Sequence, residues 1–154
     1  MNLDQLSGEE IAIWLNLSTL AGEGGRWAPV HRDESGNTIY FLMIAPDFSG
    51  WHRLKESETW ILLAGAPVAL HTIDGSGALD EGHTVFELTR DAAKISLTHT
   101  VRAGVWMAAE SLGGWSLMAC SVTPAFTQME LADQDRVTGW TARFGADVGR
   151  FIHE

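Results

Sequence analysis

The sequence predicts a mostly β chain, an antiparallel sandwich or barrel. Short runs rich in β-branched or aromatic residues follow one another from Thr38 to Val122. Gly, Asp, Ser or Pro separates them, and no long helical pattern intervenes, as alternating βαβ units would require.

Taken in order, "SGEEIAIWLNL" opens with Ser7 and has Glu10 three residues on, a reciprocal capping pair ahead of Ile11, Trp14 and Leu15 at helical spacing. A short N-terminal helix is expected there. Gly22, Gly24, Gly25 and Gly36 then punctuate turns around a short strand near Arg26 to His31. The β runs are "TIYFLMIA", "GWHRL", "TWILLAG", "VALHTID", "HTVFELT", "KISLT", "VWMAAES" and "WSLMACSV". After Pro124 the text becomes polar and mixed, and "LADQDRVTGWTARFGADVGRFIHE" reads as one or two short helices broken near Gly139 or Gly145. With no repeat or linker in view, residues 1–154 are expected to form one domain.

Composition narrows the partners. At 154 residues and 45% hydrophobic, the chain can bury a sizeable core and does not resemble a disordered one. Twenty acidic against ten basic side chains give a net charge of −10, which repels polyphosphate, so nucleic acid and anionic membranes are not expected as partners. The start, "MNLDQLSGEE", lacks a basic, apolar signal pattern, so a cytoplasmic location is expected. The most apolar stretch, Trp60 to Leu70, falls short of the roughly 20 residues that span a bilayer. Cys120 is the single cysteine, with no partner for an internal disulfide, and reads first as a small buried hydrophobe.

His52, Leu54, Glu58 and Gly65 are spaced as the first motif of the cupin superfamily, in which two histidines, a glutamate and a glycine hold those positions. "IYFLM", "FSGWHRLKESETWILLAGAPVALH", "AGVWMAAE" and "GGWSLMACSVTPAF…ELAD" resemble the cupin-5 family, whose members are labelled predicted sugar epimerases. The resemblance runs from about Glu23 to Asp133. It implies a cupin-type double-stranded jelly-roll barrel, flanked by the short terminal helices, and a homodimer. The departures bear on chemistry. Trp60 is followed by Ile61 where relatives read Trp-His, and Val68, Ala69, Leu70 and His71 replace Leu-Glu-Leu-His. In the second motif Arg102, Ala103 and Gly104 replace Pro-Ala-Gly, and Met107 stands where metal-binding cupins place their last histidine.

Strand alternation puts His52 and Leu54 on one face, and Glu58 and Trp60 on one face of the following strand. That supplies one imidazole and one carboxylate. First-row metals ordinarily take three or four protein ligands, and leucine and methionine do not replace imidazole, so no metal site and no cofactor are expected. His52 and Glu58 are then either a structural hydrogen-bonded pair bridging two strands or a tuned acid-base pair. Epimerisation also needs a donor on the opposite face of the substrate, for which Tyr40, the only tyrosine, is the candidate, although a half-buried strand aromatic is its plainer role. Trp60, Trp106 and Trp115 either stack on a ligand or pack in the core or a dimer interface. His31, His83, His99 and His153 have no ligand-like spacing and read as surface residues.

The expected function is binding of a small organic molecule, a carbohydrate being one candidate, in a cavity lined by His52, Glu58, Trp60, His71 and Met107, without a tightly held metal. The alternatives are a metal-independent sugar or nucleotide-sugar epimerase using His52, Glu58 and Tyr40, and a metal-dependent oxygenase or lyase.

Overall fold

The structure is a computed structural model and describes residues 1–75 and 82–154. Eleven strands are described: β1 (Ser18–Thr19), β2 (Arg26–Asp33), β3 (Gly36–Ile44), β4 (Ser49–Leu54), β5 (Ser57–Gly65), β6 (Val68–Asp74), β7 (Gly82–Leu88), β8 (Thr98–Val101), β9 (Trp106–Ser111), β10 (Trp115–Thr123) and β11 (Met129–Leu131). They form a six-stranded sheet in the order β1-β2-β3-β10-β5-β8 and a five-stranded sheet in the order β11-β4-β9-β6-β7. Every pairing is antiparallel. Two such sheets, with β4 and β5 adjacent in sequence but in opposite sheets, make the expected jelly roll.

Each sheet is covered on both faces, because its strands alternate large apolar side chains to either side. Inward residues including Phe41, Trp60, Leu70, Met107 and Met118 fill the barrel. Outside the six-stranded sheet, Leu42, Ala64 and Leu117 meet Ile11 and Ala12 of helix α1 (Gly8–Trp14), whose Ser7 cap and Glu10 form the expected reciprocal pair. Outside the five-stranded sheet, Trp51, Ile73 and Trp106 meet Val137 and Trp140 of helix α2 (Gln134–Phe144) and Phe151 beyond it. Eleven residues are a marginal helix in water, so burial of Val137 and Trp140 is what holds α2 in place.

Of two local expectations, the helix break falls at the second of its two glycines, and one strand needs correction. α2 runs straight through Gly139 and stops at Gly145, whose φ of 106° is closed to most side chains. "KISLT" is not a strand: Asp91 to Lys94 turn, Ser96 bridges singly to Thr89, and the strand starts at Thr98. Among the described residues no helix is long and apolar enough to cross a membrane.

Candidate functional site

The site begins with an irregularity in β4. Ser49 pairs with Ala109 and His52 with Met107, so three steps along β4 match two along β9. The extra residue is a β-bulge at Gly50 and Trp51. Residues three apart on a regular strand face opposite ways, whereas here Ser49 and His52 both turn to the same partner, Glu23. Trp51 is sent outward to the helix-covered core, and Arg53 lies over the Trp106 ring at 4.6 Å.

Glu23 sits in a tight loop between β1 and β2. Gly22, Gly24 and Gly25 all have positive φ, and a Cβ on Gly24 would strike the His153 ring and the Phe48 carbonyl. The loop is tied down where the Gly50 N–H donates to the Glu23 carbonyl at 2.7 Å and the Gly25 N–H donates to Asp47 at 2.8 Å. The Glu23 carboxyl is thereby carried inward, 7% exposed, where it accepts the Ser49 hydroxyl at 2.8 Å.

His52 is 2% exposed, and its Nδ1 lies 2.7 Å from the Gly50 carbonyl. A carbonyl only accepts, so Nδ1 carries the proton and Nε2 faces the interior. Nε2 lies 3.4 Å from Glu23 Oε1. Glu58 enters from β5 in the opposite sheet, so it meets His52 across the barrel and not along a shared ladder. The expected hydrogen bond between the two does not form. Among the described residues the side-chain donor acting on Glu58 is the Trp60 indole N–H, which favours the charged form of the carboxyl but falls outside normal hydrogen-bond geometry.

Burial dominates the electrostatics. It raises the Glu23 carboxyl to about 7, against the pull of the Ser49 hydroxyl and the nearby His153. It raises Glu58 to about 7 as well, opposed by His52 and assisted by the negative charge of Glu23. His52 is pushed below the usual imidazole range by burial, which outweighs the attraction of Glu58. Two carboxyls raised to about 7 thus stand beside an imidazole whose charged form burial disfavours. Cys120 is buried nearby, and burial followed by the two carboxylates raises its thiol well above the usual range, so it is an inert wall.

These groups close one end of a cavity of about 310 Å³. Its walls are Leu20, Trp27, Pro29, Ile39, Leu54, Val122, Phe126 and Met129, and His31, Arg32, Asn37 and Thr38 stand around the remainder. Those polar groups are largely engaged: the Arg32 guanidinium donates to the Phe126 carbonyl, Asn37 accepts the Phe126 N–H, and Thr38 donates to Ser121.

Of the residues expected at the site, His52 and Glu58 line this cavity together. Trp60 and Met107 belong to the packed barrel core beside it. Tyr40 lies on the other face of β3, against the α1 layer, so it does not share the cavity. His71 also faces outward, because β6 puts Val68 and Leu70 inside and His71 beneath Trp51 and Phe151. Its Nδ1 lies 3.0 Å from His83 Nε2, and burial drives it down to about 4. Trp106 and Trp115 pack under the two helices. Only His31 of the four presumed surface histidines is exposed; His83 stacks on His71, His99 on Phe86 and His153 on Phe48. Glu23 was missed, and its one signal is an acidic side chain enclosed by the glycines of "AGEGG".

Leu54 and Met107 occupy two of the four positions at which a cupin would ligate a metal, and both are buried in apolar packing. Among the described residues no three His, Cys, Asp or Glu side chains converge as a metal requires. The donor set does not fit a tight first-row ion.

Two antiparallel sheets closed around an apolar-walled pocket give the protein the cupin fold, which it shares with cupin-domain structures among its neighbours. More narrowly, the chain belongs to the Cupin_5 family, described as Cupin superfamily (DUF985), which matches residues 10–132. It is similar to a protein from Shewanella oneidensis at 25% identity, over 97% of this chain and 99% of that one, with a TM-score of 0.86. It is also similar to a hypothetical protein from Leishmania major at 24% identity, over 97% and 100% of the two chains, with a TM-score of 0.80. A dTDP sugar isomerase from Desulfovibrio desulfuricans G20 shares the fold at 16% identity, over 77% and 82%, with a TM-score of 0.56. No curated protein matches the chain.

Proposed function

We propose that this cupin binds a small organic molecule in the cavity closed by Glu23, His52 and Glu58, and exchanges a proton with it without using a tightly held metal. The observation that carries the reading is the convergence of these three protonable groups at the buried end of an apolar-walled cavity. His52, with Nδ1 committed to Gly50, presents Nε2 as an acceptor when neutral and as a donor when charged. Either glutamate supplies or removes the proton. A thermal-shift screen of small organic molecules tests this. Compounds that stabilise the wild type should lose most of that effect in His52→Asn, and stabilisers acting equally on both proteins would refute it.

A metal-independent epimerase or isomerase is the second reading, favoured by the same protonable groups and by the fold shared with a dTDP sugar isomerase. It is the weaker of the two because Tyr40 stands outside the cavity, which leaves the opposite face of a substrate without the expected donor. The homodimer belongs to this reading as well. Val85 of β7 and Ile95 and Leu97, just before β8, are exposed where the edges of the two sheets come together.

A further inference from the structure

Three groups able to accept a hydrogen bond line one cavity: Glu23 Oε1 and His52 Nε2, 3.4 Å apart, and the Glu58 carboxyl. Glu58 is 7% exposed, and the side-chain donor acting on its carboxyl among the described residues is the Trp60 indole N–H, which stands outside normal hydrogen-bond geometry. A carboxylate offers about four lone-pair sites, so one weak neutral donor leaves most of the accepting capacity of Glu58 open toward the cavity it lines. No Lys or Arg is among the charges acting on Glu23 or Glu58; their only cationic neighbours are histidines. Arg32, which also lines the cavity, donates to the Phe126 carbonyl.

These facts discriminate among ligand classes. An anion at the buried end would be repelled by the ionised forms of two carboxyls, with no Lys or Arg charge acting beside them to offset it. A polyol would place hydroxyls against Leu20, Trp27, Ile39 and Phe126, which return no hydrogen bonds, at about 1–3 kcal/mol for each group left unpaired. An ammonium brings three N–H donors to three acceptors. Trp27 and Phe126 offer aromatic surface to an apolar body.

Resting on the cavity reading above, we propose that the ligand is a small organic amine: an apolar ring or chain whose ammonium sits among Glu23, His52 and Glu58. The cavity of about 310 Å³ is of the size that takes a small organic ring or chain.

Calorimetric titration of the whole chain with phenethylamine, phenethyl alcohol, hydrocinnamate and glucose tests the assignment, together with the ring-nitrogen NMR signals of His52. Phenethylamine should bind at millimolar concentration or below and shift the His52 signals, at least about tenfold more tightly than the alcohol. Glu58→Gln, nearly isosteric and checked by its melting curve, should weaken the amine at least about tenfold and leave the alcohol almost unchanged. Equal binding of amine and alcohol, tighter binding of the acid or glucose, no amine binding, or indifference to Glu58→Gln would each overturn the amine assignment. If the alcohol or glucose shifts the His52 signals and the amine does not, the amine assignment fails while the cavity reading stands. If no probe shifts them, both fail.

Discussion

Glu23 Oε1 and His52 Nε2 lie 3.4 Å apart inside the barrel, joined across 29 positions of sequence by a glycine loop and a bulged strand. Each group is held by a further bond, Glu23 by the Ser49 hydroxyl and His52 by the Gly50 carbonyl. The spacing is therefore set by backbone, and the substitutions that disturb it are predictable.

Ser49→Ala removes the one hydroxyl that Glu23 accepts, at a position with no exposure. The carboxyl then loses the bond that opposes its burial, and its pKa should rise further. Stability should drop by about 1–3 kcal/mol, read from chemical denaturation at neutral pH.

Glu58→Gln should reverse a pH trend. The folded protein binds the Glu58 proton more tightly than the unfolded chain does, with about 7 against the usual 4.5. Its contribution to stability is thus complete below the usual carboxylate range and disappears as pH rises through about 7. The variant has no such titration, so its stability relative to wild type should climb between about pH 4.5 and 8, by on the order of 2–3 kcal/mol. His52, whose pKa is lowered, acts in the opposite sense, losing stability as pH falls below the ordinary imidazole range. Loss of the Glu58 attraction lowers His52 further in the variant, which adds to the difference in the same direction. Melting curves at a series of pH values check the slope, and a flat difference would contradict the burial of Glu58.

Leu54→His together with Met107→His should build the metal site that this chain lacks. Both positions face the barrel beside His52, so two imidazoles would join His52 and Glu58. The double variant should retain zinc or manganese through dialysis against a weak chelator, whereas the wild type should not. Elemental analysis decides the matter.

Phe151→Ala should loosen the segment that braces β4 from outside. The Phe151 ring is fully buried against Trp51 and His71, and its carbonyl accepts the Trp51 N–H at 2.9 Å. The expected cost is about 3–5 kcal/mol, read by denaturant unfolding.

Self-association should give a mass twice the 16.8 kDa of the chain in sedimentation equilibrium. Ile95→Glu, at a side chain that is 62% exposed, should shift that mass toward the single chain if the sheet edges form the contact.

The β architecture was legible because alternation survives in the text: "VALHTID" is β6 to the residue. His52 and Glu58 were legible because their spacing is fixed by the barrel. Tyr40 and His71 were misplaced for one reason, that both sheets are covered on their outer faces, so an aromatic or histidine in a buried strand has two interiors to choose from. Local pattern does not say which. Glu23 was hidden because a loop, not a strand, delivers it, and loops carry no periodic signature. The separation of β4 and β5 into opposite sheets was equally silent, since nothing in two short strands joined at Lys55 and Glu56 says whether they pair.

The surplus residue at Gly50 and Trp51 has a genetic corollary. Removing a single codon from this stretch would restore even alternation, and Ser49 and His52 could no longer look the same way. Either the hydroxyl or the imidazole would swing out of reach of Glu23. An in-frame deletion of one amino acid should therefore separate Glu23 from its partners more thoroughly than most point substitutions around it, with every participating side chain still encoded.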